Sequence, residues 1–362
     1  MKTGTATRPG PPHTGSPPSP PHTGSPPRPR HTGSPLSPRG PLWLAWRRQR
    51  TVLVTGAVLI LALAGYLVYQ RTGMAALIHD RGIADCRIWR DCNGMPLGPS
   101  DELAEAFIRL ESYRAALLDA ARLLLAIPAV IGAFVGAPLI AREFESGTAA
   151  LVWSQSVGRV RWLIATLALP VVATLAATSL LAALFTWWWW PVRGTFPDVH
   201  WGDTLPFDVV GPAFVSLSLL SLLLGTAFGL VLRRTLPAMA CTLAVTAGVV
   251  YGLQQLRPHL MPRLTVTAGV HVHAEAPFGG WYIGSGYLDG TGARVDGSVC
   301  QGLGGWPAIF RCLDRRHLAQ EYEDYHPIGH FWSMQWMQAG ICLAVAVALA
   351  AFCVWWIGRR RA

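Results

Sequence analysis

Hydrophobic and polar positions in this chain fall into long blocks, not short alternations. Six stretches, 51–69, 123–140, 163–190, 209–232, 236–253 and 337–357, are apolar almost from end to end. At about 1.5 Å per helical residue, each is long enough to cross roughly 30 Å of hydrocarbon. Lipid offers no water to the backbone, so a spanning segment must close its hydrogen bonds internally, as a helix does. The pattern predicts an all-α polytopic membrane protein with six transmembrane helices and both termini on the same side. A seventh helical signal precedes the second run. Ser100, Asp101 and Glu102 form an N-cap with acids in the first turn, and Leu103, Phe107, Leu110, Arg114 and Leu117 follow at helical spacing. That helix is expected to run into span two as a stalk above the membrane.

The connectors are unequal. Between spans two and three lies a short charged segment, 141–162. Arg142 marks the membrane boundary, Glu143 and Glu145 present carboxylates to water, and Gly147-Thr148 breaks the helix. Ala149, Val152, Trp153, Val157 and Val160 then form an apolar stripe, and Arg159 and Arg161 anchor its far end. This predicts a short amphipathic helix lying in the interface. The connectors 71–116 and 256–334 are long. The second is rich in glycine and aromatics, as in Phe278-Gly279-Gly280-Trp281-Tyr282, which predicts short strands and turns.

Charge orients the chain. Residues 1–50 hold eight basic residues and no acid. The same side receives Arg142, Arg159, Arg161, Arg233, Arg234 and the triplet Arg359-Arg360-Arg361. In each long loop six arginines face seven acids. The positive-inside rule therefore expects the tail, segment 141–162 and both termini in the cytoplasm, with the long loops outside. Cysteine placement is an independent test. Cys241, Cys342 and Cys353 lie within spans, whereas Cys86 and Cys92 share the first long loop and Cys300 and Cys312 the second. Two local pairs outside fit disulfides in an oxidising compartment. A zinc site using cysteines with His271 or His273 is the competing reading, although the spacings are not those of a zinc knuckle.

Composition narrows the function classes. The chain of 362 residues is 51% hydrophobic and 14% charged, against about 25% charged for a soluble domain. The net charge of +10 is concentrated in the tail, so no nucleic-acid face is expected. Lys2 is the only lysine. A P-loop needs a lysine after its glycines, so ATP, if used, must bind another chain. No HExxH, GxSxG or paired intramembrane carboxylates are present, which argues against a membrane-embedded enzyme, and no catalytic metal or cofactor is expected. The tail itself, 1–50, repeats His-Thr-Gly-Ser-Pro from His13, His22 and His31 and is expected to be a disordered Pro-rich segment. Trp187 to Trp190 end span three, where an aromatic belt explains them, and a stacking platform is the alternative. Asp119 and Arg122, at one-turn spacing where the stalk enters the membrane, can pair.

The run Gly136-Ala137-Pro138-Leu139-Ile140-Ala141-Arg142-Glu143-Phe144-Glu145-Ser146-Gly147-Thr148, continued by Trp153-Ser154-Gln155-Ser156 and Arg159-Val160-Arg161-Trp162, resembles permease subunits of type-2 ABC exporters, especially those of high-GC Gram-positive bacteria. The resemblance implies that segment 141–162 is a coupling helix docking on a separate ATPase subunit. It places the docking role on Arg142, Glu143, Glu145, Gly147, Thr148, Gln155 and Arg159. It also implies a second permease, a homodimer in the simplest case, in a bacterial plasma membrane. The Pro-rich tail has no counterpart in that pattern, and Ala149-Ala150 stand where a larger polar residue is expected. Pro128, Pro138, Gly132 and Gly136 are expected to make span two irregular. The function implied is outward movement of a small hydrophobic or amphipathic substrate. The alternative is a stand-alone membrane sensor or structural protein that binds an external ligand through its long loops.

Overall fold

The computed structural model describes residues 41–80, 101–147, 158–193, 199–302 and 304–359, with Gly4 and Gly10. Of the tail expected to be disordered, 1–50, the last ten residues are helical; the rest of it, apart from Gly4 and Gly10, and the pair Cys86 and Cys92 lie outside these residues. Among the described residues six helices are long and apolar enough to cross a membrane. Helix α1 runs Pro41–Asp80. The second span is composite: α2, Asp101–Val130, a π-helical turn, Ile131–Gly136, and α3, Ala137–Glu145, follow without a break. The predicted stalk is thus one helix with span two. The other spans are α4, Arg159–Trp189, α6, Gly211–Leu232, α7, Thr235–Leu256, and α9, His330–Arg359. A single-turn helix, α5, Thr204–Val209, lies between α4 and α6.

Helix α6 is the axis of the bundle. Its apolar window is 61% buried, against 11% for α1, and it packs on α2 and α3, α4, α7 and α9. Its polar residues follow from that position. Ser218 and Thr226 bond back to the carbonyls of Phe214 and Leu222, and Ser221 bonds Thr246 of α7 at 2.9 Å. Buried hydroxyls so satisfied cost little within hydrocarbon. Val58, Leu61 and Val347 face outward instead, as lipid-facing side chains should.

The loop after α7 folds as predicted, into strands and turns. Strands β1, Leu264–Gly269, β2, Trp281–Asp289, β3, Arg294–Asp296, and β4, Leu318–His326, form an antiparallel sheet ordered β1-β4-β2-β3. The β2–β3 hairpin turns on Asp289, whose Oδ1 accepts from the backbone N–H groups of Thr291 and Ala293, with Gly292 at φ 83°. Asp324 on β4 accepts from Arg294 at 2.6 Å and from Thr265 at 2.6 Å, cross-linking three strands. Helix α8, Trp306–Arg315, covers one end, and Cys300–Cys312 is a disulfide, so neither sulfur is left to bind zinc. Replacing both cysteines by serine should lower the sheet's stability by about 2–4 kcal/mol. Thermal unfolding under oxidising and reducing conditions checks this, because the wild type alone should respond to reductant at these residues.

The sheet rests on the bundle through aromatic rings. Trp201 donates to the Gly279 carbonyl at 2.7 Å and meets Trp281 edge-on, while Phe331 fills the space between Trp189, Trp201 and Phe207. Gly202 has no room for a side chain, since a Cβ would sit 2.1 Å from the Trp281 ring. His326 Nε2 donates to the Pro258 carbonyl at 3.2 Å, which leaves Nδ1 of the neutral ring to accept from His330 Nδ1 at 3.2 Å. Burial holds the His326 imidazole below its ordinary pKa, with His330 and Arg263 adding to the effect. The tryptophan run is not simply a belt. Trp188 and Trp189 are fully enclosed, Trp189 donating to the Val199 carbonyl at 2.8 Å, and only Trp187 is substantially exposed, at 46%.

Candidate functional site

Helix α3 ends as its sequence dictates. Ser146 bonds the Arg142 carbonyl through both N–H, at 3.0 Å, and Oγ, at 2.8 Å. Gly147 follows at φ 70°, a left-handed turn that favours glycine. Arg142 is exposed and Glu143 half-buried. On the far side Gly158 caps α4, Arg159 opens it half-buried, and Trp162 packs inside with Ile140 and Ile357. Residues 148–157, including Thr148, Gln155 and the predicted amphipathic helix, lie outside the described residues.

Glu145 has a role that the sequence did not show. One carboxylate oxygen accepts from the Thr235 backbone N–H at 2.7 Å, and the other from Thr235 Oγ1 at 2.7 Å. Thr235 is the first residue of α7. Glu145 therefore caps α7 from another helix, placing a negative charge at the positive end of that helix dipole. Arg233 adopts the left-handed conformation, φ 55°, in the tight turn between α6 and α7, and its guanidinium lies 5.0 Å from the Phe144 ring. The end of span two is thereby tied to the start of span five, 90 residues further along the chain. A carboxylate at the end of one span and a threonine at the start of another were both visible; their pairing was not.

Behind this contact the two central helices meet on glycine. Gly132 and Gly136 lie in the π-turn and face Ser221, Leu222 and Gly225 of α6, and Gly229 of α6 faces Ala137 and Ala141 of α3. The irregularity expected of span two is present as that π-turn, between Pro128 and Pro138.

A second polar cluster lies at the opposite end of the bundle, beneath the sheet. Asp208 of α5 and Arg257, just beyond α7, form an ion pair in which the side chains are 3% and 1% exposed. Gln254 donates to the other Asp208 oxygen at 2.8 Å, and Arg257 stacks 4.0 Å over Phe207. Gln335 of α9 donates to the Phe207 carbonyl at 2.7 Å and accepts from Ala213 N–H at 3.2 Å. Both charges sit just beyond the apolar runs and so read as loop residues in the sequence. Asp119 and Arg122 do pair, at 2.5 Å, on an exposed face of α2.

Five apolar helices around a central sixth, with a small sheet set on one end, define a multi-pass membrane protein. A family described as "ABC-2 membrane transporter related" matches residues 57–257, and the chain belongs to it. That range runs from the first span to the fifth and includes segment 141–162 and the Glu145–Thr235 contact. The protein is thus a transporter permease of the ABC-2 class, a membrane component whose family works with an ATPase subunit. No curated protein and no solved structure matches the chain.

Proposed function

We propose that the chain is the permease of an ATP-driven exporter, moving a small hydrophobic or amphipathic substrate outward. A separate ATPase docks on segment 141–162, two permeases act together as a homodimer, and both termini face the cytoplasm of a bacterial cell. The contact of Glu145 with Thr235 carries this reading. A push on the docking segment enters α3 at Arg142, Glu143 and Gly147 and reaches α7 through the Glu145 carboxylate, while the π-turn gives span two a place to flex. Thr148, Gln155 and Arg159 complete the docking surface in the proposal. The protein itself performs no chemistry.

Two sets of variants separate docking from transmission. Arg142→Ala with Glu143→Ala should reduce co-purification of the partner ATPase. Thr235→Val should leave co-purification intact while lowering transport several-fold, because it removes the Oγ1 bond to Glu145 and leaves α7 held by the backbone N–H bond alone. If neither set affects ATPase binding or transport, the docking assignment is wrong. The folded, disulfide-closed sheet favours a second reading, an external ligand sensor. Retention of full cellular function in cells lacking every neighbouring ATPase would support the sensor.

A further inference from the structure

On the sheet side of the membrane, helices α4, α6 and α9 enclose an open groove of about 800 Å³. Leu175, Ser179 and Ala183 of α4 form one wall, Trp336 and Leu343 of α9 the other, and Gly211 to Leu219 of α6 the floor. From Leu175 to Trp190 it extends roughly 22 Å along α4, more than half of a hydrocarbon core. No charged side chain lines it. Its rim carries half-exposed indoles, Trp187, Trp332 and Trp336, the ring type that settles at the boundary of hydrocarbon and headgroups. At its sheet end Trp190 and Trp332 approach to 6.3 Å, and the Arg193 guanidinium stacks 3.9 Å over Trp190. Among the described residues no carboxylate pairs with Arg193.

We propose that this groove is a binding site for a phospholipid with a net-anionic headgroup, drawn from the leaflet on the sheet side. The chains lie along α6 between α4 and α9, and the phosphate meets Arg193 at the Trp190 end. The arrangement of one cation at one end of an uncharged trough matches an anionic amphiphile in both charge and direction. A second copy of this chain would have no use for that polarity. The volume is that of a built ligand site, within the roughly 300–1,000 Å³ of such cavities. The inference does not depend on the docking of an ATPase.

The test uses the full chain in phosphatidylcholine nanodiscs doped with phosphatidylglycerol that carries a diazirine in its chain. Labelling should concentrate on peptides spanning 175–191 and 332–343, above that on residues 52–63 of α1, none of which is buried. Unlabelled phosphatidylglycerol should compete, and phosphatidylcholine should not. Ala183→Trp and Ser179→Phe, both at exposed positions, each fill the groove and should remove the label while the protein stays monodisperse. Arg193→Gln should cut anionic labelling about five-fold, the effect of about 1 kcal/mol per basic residue at an anionic surface, and Arg193→Lys should retain it. Equal labelling of α1 and the groove, indifference to headgroup, or label that survives both filling variants would each overturn the proposal. So would cross-linking between copies through a cysteine placed at 183, which would make the groove an interface between permeases.

Discussion

Gly225→Leu should yield no folded, monodisperse protein, whereas Gly248→Leu should behave as the wild type. A Cβ at Gly225 would lie 2.1 Å from the Gly132 carbonyl oxygen and 2.8 Å from the Ala137 nitrogen. Both are backbone atoms and cannot swing aside. The contact is reciprocal along the helix pair: a Cβ at Gly132 would meet Ser221 O at 2.5 Å, at Gly136 Leu222 O at 2.4 Å, and at Gly229 Ala137 O at 2.5 Å. The two pairs, each four residues apart, place small residues on facing sides of span two and α6. In lipid no hydrophobic force draws helices together, so such close backbone packing carries much of the association. Even Gly225→Ala must separate the helices, at a cost of about 1–3 kcal/mol by analogy with overpacked cores. Gly248 on α7 has nothing within 4 Å of its would-be Cβ and controls for helix propensity and added bulk. Thermal unfolding in detergent, followed by size-exclusion chromatography, measures all three. A Gly225→Leu protein as stable as the wild type would show that the two helices do not meet here.

What the sequence disclosed follows from which interactions are local. Span existence was legible because an apolar run long enough for the bilayer has one stable backbone solution. Bounds were less so: α1 and α9 continue past the apolar runs, to Asp80 and back to His330, because a helix does not need lipid to persist. Strands were legible in the loop 256–334 from its glycines and aromatics, but the order β1-β4-β2-β3 depends on long-range pairing. A belt accounts for only part of the tryptophan run. Four consecutive helical residues turn through most of a circle, so they cannot all face the headgroups; Trp188 and Trp189 are therefore core. In the candidate site, the Gly147 turn and the exposed Arg142 were readable. The capping of α7 by Glu145 was not, since its partner is distant in sequence and chemically ordinary. The same holds for Asp208 and Arg257, each a single charge beside a different apolar run.

Asp208→Ala should destabilise the protein by about 3–5 kcal/mol, and Asp208→Leu with Arg257→Met should restore most of that loss. The single change leaves the Arg257 guanidinium, 1% exposed, with its charge uncompensated at the edge of the hydrocarbon. Removing one partner of a buried pair typically costs this much, while replacing both by apolar groups of similar volume is often neutral or stabilising. Gln254 and Gln338 would lose an acceptor in Asp208 as well, which deepens the single-mutant defect and is why the double variant should fall slightly short. The position of the pair gives the experiment a second readout. Asp208 lies on α5, Arg257 leads from α7 into β1, and Gln335 and Gln338 stand at the start of α9, which follows β4. The cluster of Asp208, Arg257, Gln335 and Gln338 thus ties both chain connections of the sheet to the helices beneath it. Protease sensitivity of the sheet should accordingly rise in Asp208→Ala before the bundle unfolds, and return to the wild-type level in the double variant. A single variant within about 1 kcal/mol of the wild type, the range of exposed pairs, would mean that water reaches Arg257 and the cluster is not a dry latch.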